Sequence, residues 1–360
     1  MNRIIKVIVA AAVLSAAAWQ SLDACTGITL KTSGGSTVTG RTIEWASSDM
    51  PAYYVAVPVG KTLHAMLPGG GEGMAFTARY AYVGIAVEQP EFIMEGVNEK
   101  GLGAGLFYFP GYGKYEEYTQ ENASNSISDF QLVSYILSSC ATVDEVKDRV
   151  LSTHVHGIDP RSSTVHWRFT ERSGRQIVLE IIDGKCVFYE NELGVLTNSP
   201  SFDWQTTNLN NYVNLAPGTS AVKVLDRLKM TSFGAGSAAL GLPGDMTPPS
   251  RFVRAAFFQS TAPVLADATA TAVQAFHILN NFDIPVGSVT PEGTAPADIP
   301  SATQITIVTD LSGNRLLWRS MHNSAIRCID LAATDLDKLG YVVEDLDPVK
   351  SEPIETVELV

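Results

Sequence analysis

A β-hairpin pattern that begins at Cys25 constrains this chain more than any other feature. Two segments that favour β-structure, "GITLKT" and "STVTGRTIEW", flank Gly34 and Gly35, a dipeptide favoured in two-residue hairpin turns. With those two glycines as the turn, the numbers of paired residues sum to 69. We therefore predict a hairpin in which Cys25 lies opposite Glu44.

Arg41 belongs to the second strand of this hairpin. It precedes Glu44 by three residues, so regular alternation of side chains places it on the opposite face. Gly40, directly before it, is a suitable position for a β-bulge that would re-aim the strand. In that arrangement Arg41 reaches the sulfur of Cys25 and favours the thiolate. The alternative is an ordinary surface pair of Arg41 and Glu44 on a hairpin.

The segment before the hairpin resembles an export signal. Arg3 and Lys6 give it a positive start, an apolar run extends from Val7 to Trp19, and small residues lead to Ala24. The apolar run is shorter than the roughly 20 residues that span a bilayer. We predict that residues 1–24 are a signal peptide and that the protein is exported, periplasmic or secreted, without membrane insertion after the signal is removed.

Removal of residues 1–24 would leave Cys25 with a thiol and a free α-amino group. The amine, with an ordinary pKa of about 7.7–8.0, suits a general base. The thiol, with an ordinary pKa of about 8.5, is a strong nucleophile once ionised. One residue would then hold nucleophile and base at a fixed separation, which is the chemistry that cleavage of an amide needs.

Other fates of Cys25 remain open at this level. A cut after Ala18 would leave "WQSLDA" to be removed later, by signal processing or by Cys25 itself. "LDAC" also fits a lipoprotein signal in part, although Asp23 stands where a small residue is expected. A lipidated Cys25 would have a blocked amine and would make the chain a non-catalytic lipoprotein, so the anchor and the amine base exclude each other.

Charge excludes some classes of partner. Residues 1–24 carry Arg3, Lys6 and Asp23, a net charge of +1, so the formal charge of −13 for the whole chain becomes −14 for residues 25–360. Such an acidic chain is unsuited to nucleic acid or to anionic lipid, both of which attract Lys and Arg. The partner expected is a small molecule.

The sequence signals no metal or organic cofactor. It contains no C-x-x-C, and the H-x-H of His154 and His156 is too weak a zinc signal, so we interpret it as a pair in a loop. Four cysteines are too few for a disulfide framework in a chain of 360 residues. Whether Cys140, Cys186 or Cys328 forms a disulfide stays open.

Strands and helices alternate in blocks along the rest of the chain. Helices are indicated by capping boxes at Ser128 and Thr142, by Ser250 as an N-cap, and by the spacing of "ATAVQAFHILNN". Strands are predicted at "YAYVGIAVE", "GLGAGLFYF", "TVHWRFT", "QIVLEII", "KCVFYE", "GVLTNSP", "TQITIVTDL" and "RLLWRS". No linker divides the chain, so we predict a single α+β domain over residues 25–360 with layers stacked around antiparallel sheets.

Five segments occur in an order that resembles a known family: "CTGITL", "GRTIEW", "EGVNEKGLGAGLFYFPGY", "GVLTNSPSFDWQ" and "LPGDMTPPSRFVRAAFF". Together they are similar to the choloylglycine hydrolases, the bile salt hydrolases and penicillin V acylases among the N-terminal-nucleophile hydrolases. The resemblance extends from Cys25 to about Arg319. It implies a four-layer αββα sandwich, hydrolysis of linear amides by an amino-terminal cysteine without a cofactor, and a homotetramer.

The resemblance also implies roles for individual residues. Cys25 is the nucleophile and its α-amine the base, and Arg41 matches the family arginine beside the thiol. Glu44 stands where many members have an aspartate that holds the amine. Asn198 matches the asparagine that supports the amine and lines the oxyanion hole, and Arg251 matches the second arginine of the site.

The substrate is predicted from an aromatic segment. "AGLFYFP" has no asparagine where bile salt hydrolases usually have one, and Tyr108 matches the tyrosine of penicillin V acylases, with Phe107 as the alignment alternative. Trp45, Phe107, Phe109 and Tyr112 would form an apolar wall for an acyl group. We therefore expect hydrophobic N-acyl compounds as substrates, including N-acyl homoserine lactones, with conjugated bile salts as the alternative.

Overall fold

Two large antiparallel sheets form the centre of this protein in a computed structural model, which describes residues 24–45, 49–158, 164–289 and 302–359. The smaller sheet has five strands in the order β1-β2-β16-β17-β18, and the larger has eight in the order β13-β12-β11-β8-β7-β6-β3-β19. All of the predicted signal peptide except Ala24 lies outside the described residues.

The strands are numbered in chain order. They are β1 Cys25–Lys31, β2 Thr37–Trp45, β3 Ala52–Val57, β4 Thr62–Met66, β5 Glu72–Thr77, β6 Tyr82–Val87, β7 Ile93–Asn98, β8 Gly103–Tyr108, β9 Ser126–Ser128, β10 His154–His156, β11 Val165–Thr170, β12 Gln176–Ile182, β13 Lys185–Glu190, β14 Lys223–Leu225, β15 Leu228–Met230, β16 Ala302–Asp310, β17 Arg315–Ser320, β18 Asn323–Asp330 and β19 Val342–Asp345. Three further pairs, β4 with β5, β9 with β10, and β14 with β15, lie outside the two large sheets.

The described residues form five α-helices. They are α1 Leu132–Ser139, α2 Val143–Leu151, α3 Phe202–Asn208, α4 Pro248–Thr261 and α5 Ala268–Leu279. Helices α4 and α5 contact β1 and β2 of the five-stranded sheet, whereas α1 contacts β7 and β8 of the eight-stranded sheet. The two sheets meet at β7, which contacts β16 and β17. These contacts give the layers helix, sheet, sheet, helix and confirm the predicted αββα sandwich.

The first hairpin forms, but its register differs by one residue from the prediction. The pairs of β1 and β2 sum to 68, with Cys25 opposite Ile43 and Gly27 opposite Arg41. The reason is the turn, a three-residue loop in which the N–H of Thr32 donates to Ser36 O at 2.9 Å and Gly35 adopts a left-handed φ of 84°. Glycine tolerates that conformation without steric cost.

Local signals succeeded for some elements and failed for others. Thr142 is the N-cap of α2 and its side chain accepts from the N–H of Glu145, as predicted. Ser128 makes no capping bond, and α4 begins two residues before Ser250, with Thr247 at the N-cap position. The H-x-H residues form the short strand β10 rather than a loop.

Of three further properties, the sequence left only the state of the cysteines open. None of the helices in the described ranges is long and apolar enough to cross a membrane. All four cysteines are free thiols. No cluster of three or more His, Cys, Asp or Glu side chains within the described ranges is arranged to hold a metal ion.

Candidate active site

Cys25 begins the edge strand β1, and its side chain points between the two sheets. It is only 3% exposed. Residues 25, 27, 41 and 43 share one face because they are paired across the hairpin. That face meets the eight-stranded sheet, since Arg41 donates to the backbone carbonyls of Met94 and Leu106 there. The thiol is therefore enclosed in the interior of the sandwich.

Arg41 is the immediate partner of the sulfur. Its Nη2 lies 2.8 Å from Cys25 Sγ, and the guanidinium group stands 4.1 Å over the ring of Phe107. Burial raises the pKa of the Cys25 thiol, and the charge of Arg41 acts against that increase. The predicted bulge at Gly40 is wrong, because pairing through this position is regular. The true register alone brings Arg41 to the face of the sulfur.

Asn198 reaches Cys25 through one isolated antiparallel bridge between Gly27 and Leu196. This bridge is what the structure has in place of the strand predicted at "GVLTNSP". Asn198 follows Leu196 by two residues and Cys25 precedes Gly27 by two. In this antiparallel arrangement Asn198 therefore stands opposite Cys25. The Cys25 N–H donates to Asn198 Oδ1 at 2.8 Å. In the intact chain this nitrogen is an amide, and cleavage after Ala24 would turn it into an amine at the same place.

Arg251, in the first turn of α4, forms hydrogen bonds to Cys25, Thr26 and Asn198. It is fully buried, and its two terminal nitrogens reach three groups: the carbonyl of Cys25, the hydroxyl of Thr26 at 2.9 Å and Asn198 Oδ1 at 2.7 Å. Burial lowers the pKa of the guanidinium, while the carboxyl of Glu44 acts against that decrease. Arg251 thus fixes the backbone of Cys25 and the amide of Asn198 with one planar group.

Glu44 lies on the other face of β2, towards the helices. Its backbone N–H donates to Ala24 O at 3.1 Å, so it is opposite Ala24 and not opposite Cys25 as predicted. Thr303 of β16 donates its hydroxyl to Glu44 Oε1 at 2.9 Å, and Oε2 is buried without a hydrogen-bond partner. Burial raises the pKa of Glu44 to about 7. Glu44 therefore borders the bond whose cleavage would create the amine.

Tyr108 contributes through its backbone. Its carbonyl accepts from Asn198 Nδ2 at 2.8 Å, and its N–H donates to the Cys25 sulfur, which lowers the pKa of the thiol. A backbone N–H at this place can also donate to an oxygen that becomes negative during attack on a carbonyl. A catalytic part for the Tyr108 side chain stays a prediction.

The four aromatic residues predicted to bind substrate occupy different environments. Phe107 and Phe109 are fully buried, so neither offers surface to a ligand in this structure. Phe107 supports Arg41, and Phe109 stacks on His166 at 4.4 Å. Tyr112 is 51% exposed, and Trp45 is partly buried against the core. The predicted apolar wall is thus not continuous.

Sequence reasoning missed Thr303 and Thr26, which support the site from behind, and gave Phe107 a different role. Thr303 fixes Glu44, Thr26 accepts from Arg251, and Phe107 acts as a platform for Arg41. Thr303 lies in a segment predicted as a strand, but a threonine in a strand carries no signal of its own. A cavity of about 730 Å³ lies elsewhere, near Lys31, Gln176 and Gln259, and no predicted catalytic residue lines it. We therefore assign the site from the contacts of Cys25.

Comparison with known proteins agrees with this geometry. The family of linear amide C–N hydrolases called the choloylglycine hydrolase family matches residues 25–344. This chain belongs to the choloylglycine hydrolase family. The match begins at Cys25, the residue around which the site is built, and the chain is accordingly a hydrolase of linear amides.

Individual relatives include both activities of the family. The bile salt hydrolase/transferase of Clostridium perfringens is 31% identical over 320 residues, which are 87% of this chain and 94% of that protein. The penicillin V acylase of Pectobacterium atrosepticum is 27% identical over 275 residues, 70% of this chain and 65% of that protein. A crystal structure of a cysteine-to-alanine variant of the C. perfringens conjugated bile acid hydrolase superposes with a TM-score of 0.78 at 28% identity, covering 93% of this chain and all of that one.

Proposed function

We propose that this protein is an exported amidase that hydrolyses hydrophobic N-acyl amides by means of an amino-terminal Cys25. The observation that carries the proposal is the convergence on one residue. The Cys25 nitrogen is 2.8 Å from Asn198 Oδ1, and the Cys25 sulfur is 2.8 Å from Arg41 Nη2. Both atoms of the proposed catalytic pair are therefore already held in place by separate elements.

The reaction follows from these positions. The sulfur attacks the substrate carbonyl carbon while the α-amine takes the thiol proton. The developing oxyanion is stabilised by hydrogen bonds from the backbone of Tyr108 and the Nδ2 of Asn198. The carbon–nitrogen bond then breaks, and the ammonium protonates the departing amine. Water attacks the acyl thioester, loses a proton to the α-amine, and releases the carboxylic acid with the thiol restored.

The proposed substrates are penicillin V-like compounds and N-acyl homoserine lactones. Support comes from the "AGLFYFP" segment, which has Tyr108 and no asparagine next to the sulfur, and from the half-exposed Tyr112 beyond it. The two arginines of the site, Arg41 and Arg251, are fully buried and hydrogen-bonded to protein groups, so neither is exposed to an anionic substrate tail. These features favour an uncharged, apolar acyl chain.

Hydrolysis of conjugated bile salts is the second candidate. It is favoured by a specific finding, because the C. perfringens bile salt hydrolase/transferase matches a larger share of the chain at higher identity than the penicillin V acylase does. The contacts around Cys25 do not distinguish the two activities. The difference lies in what the acyl pocket accepts, which turnover decides.

A lipid anchor at Cys25 is disfavoured. A thioether-linked diacylglycerol needs a thiol that projects into the membrane surface. Here the thiol is buried between the sheets and hydrogen-bonded to Arg41. The enclosed sulfur therefore supports the nucleophile rather than the anchor.

A homotetramer completes the proposal. The hairpin of β14 and β15 and its flanks expose eight large apolar side chains within 28 residues: Val213, Val222, Val224, Leu225, Leu228, Met230, Phe233 and Leu240. Exposed apolar surface of this density is typical of interaction sites. It supports assembly with further copies of the chain.

The test combines maturation and turnover. The exported protein is sequenced from its amino terminus and its intact mass measured, and it is expected to begin at Cys25 without lipid. Penicillin V, glycocholate and a long-chain N-acyl homoserine lactone are then compared side by side. Cys25→Ser should lose nearly all turnover, whereas Cys140→Ser, which removes a buried thiol remote from the site, should retain it. A clear preference for glycocholate would establish the bile salt activity instead, and a lipidated or differently placed terminus would overturn the mechanism.

A further inference from the structure

A buried histidine–glutamate pair lies beside the site and has no part in the mechanism above. His166 of β11 and Glu180 of β12 are both completely inaccessible to solvent, with His166 Nδ1 3.3 Å from Glu180 Oε1. Enclosing two ionisable side chains is costly unless each is well hydrogen-bonded. The question is what this pair holds.

The pair belongs to a row that starts at the nucleophile's partner. His166 is directly opposite Phe107 in the pairing of β8 and β11, and continuation of the β11–β12 register places Glu180 opposite His166. Phe107 in turn supports Arg41. Four side chains thus lie in sequence across the sandwich, from Arg41 to Glu180.

His166 and Glu180, at the far end of this row, form hydrogen bonds to the two ends of one short loop. His166 Nε2 donates to the carbonyl of Thr197 at 3.0 Å, and Glu180 Oε1 accepts from the N–H of Phe202 at 2.9 Å. Residues 197–201 form the loop that carries Asn198, and Phe202 is the first residue of α3. A carbonyl only accepts hydrogen bonds, so the ring proton of His166 on this side is fixed at Nε2.

We propose that His166 and Glu180 are positioning residues that fix Asn198 against Cys25. The bridge between Leu196 and Gly27 fixes the position of the loop along β1, but Asn198 lies beyond that bridge and is part of no strand. Holding Thr197 on one side and Phe202 on the other defines where the Asn198 amide can be. A displacement of about 1 Å of such a group can cost roughly a hundredfold in rate.

Two substitutions of the histidine separate positioning from packing. In His166→Gln the amide nitrogen can take the place of Nε2 and still reach Thr197. In His166→Asn the side chain is too short for that bond, although it can still donate towards Glu180. His154→Asn is the matched control, because His154 forms a 2.7 Å pair with Glu116 that does not touch the site.

The inference rests on the proposed role of Asn198, and the measurements keep the two apart. With whichever amide the wild type cleaves, His166→Asn should lower kcat about tenfold to a hundredfold with little change in KM. His166→Gln should recover most of that loss, and His154→Asn should match wild type. Amide hydrogen exchange of a peptide that spans residues 197–205 should be faster in His166→Asn and restored in His166→Gln. The exchange needs no substrate, so it tests whether His166 positions the loop even if the proposed activity is absent.

Equal losses of kcat in His166→Asn and His166→Gln, or unchanged exchange of the loop in His166→Asn, would overturn the proposal. Should His166→Asn fail to fold, Glu180→Gln provides the second test. Its amide oxygen still accepts from Phe202, but an amide replaces the carboxyl group that faces the imidazole, so kcat should fall at constant KM. Wild-type kcat in a folded Glu180→Gln protein would also refute the proposed positioning role of the pair.

Discussion

Replacement of Arg41 by glutamine should make Cys25 much less reactive. The guanidinium group is the cation closest to the sulfur, with Nη2 at 2.8 Å. Its charge is spread over the group, so an effective separation of about 4 Å and an effective dielectric constant of about 20 give an attraction to a thiolate on the order of 4 kcal/mol. Because about 1.4 kcal/mol is a factor of ten, and Arg251 remains, we expect alkylation to slow by about a hundredfold to a thousandfold.

The assay is the rate of alkylation of mature protein by iodoacetamide, followed by mass spectrometry over a range of pH. Since only the thiolate reacts, the loss should be constant at every pH below the thiol pKa of both proteins. Arg254→Gln is the matched control. Arg254, in α4, is buried like Arg41 and donates to the carbonyls of Pro243 and Asp245 without touching Cys25.

Folding must be measured in parallel. Arg41 also donates to the carbonyls of Met94 and Leu106, and each carbonyl left unpaired costs about 1–3 kcal/mol. A thermal melt separates loss of structure from loss of charge. An Arg41→Gln protein with a native melt and wild-type alkylation would refute the assigned role of this cation.

The remaining predictions concern the amine, one buried acid and assembly. Acetylation of the α-amine of mature Cys25 should reduce turnover at least a hundredfold, within the range for a general base, while leaving the thiol alkylatable; sustained turnover would contradict the base. Burial raises the pKa of Asp129 from its usual 3.8 to about 7, so the folded state holds the proton more tightly. The free energy of unfolding should therefore fall as pH rises from about 4 to about 7. Denaturant titrations of Asp129→Asn should show a flatter dependence of that free energy on pH. Leu225→Asp combined with Leu228→Asp should reduce the mass measured by light scattering to that of a smaller species, and an unchanged mass would remove this hairpin from the interface.

The strands with strong turn signals were predictable from the sequence. Strands β11, β12 and β13 match the predicted segments to within a residue or so at each end. The turn between β12 and β13 contains Asp183 and Gly184, both with positive φ, which is the backbone that an Asp-Gly dipeptide favours. Here the local chemistry and the tertiary structure demand the same conformation, so the sequence alone is sufficient.

The site was predictable only where motifs carried it. The family motifs mark each of four residues separately in the sequence: Cys25, Arg41, Asn198 and Arg251. The structure brings these four residues together. His166, by contrast, bonds to a residue 31 positions away in the chain, and no spacing rule relates the two. Such contacts depend on how strands of one sheet stack over a loop from another part of the chain, and that information is absent from local patterns.

The register of the first hairpin shows how a small backbone detail decides the chemistry. A two-residue turn would pair Cys25 with Glu44 and put a carboxylate beside the sulfur, which raises the pKa of a thiol. The three-residue loop, with Gly35 at φ 84°, moves the pairing by one residue and turns Glu44 to the opposite face, because successive side chains of a strand alternate. The same movement brings Arg41 to the face of the sulfur, where its charge lowers the thiol pKa. The sign of the charge next to the sulfur is therefore set by the three-residue loop at the far end of the hairpin.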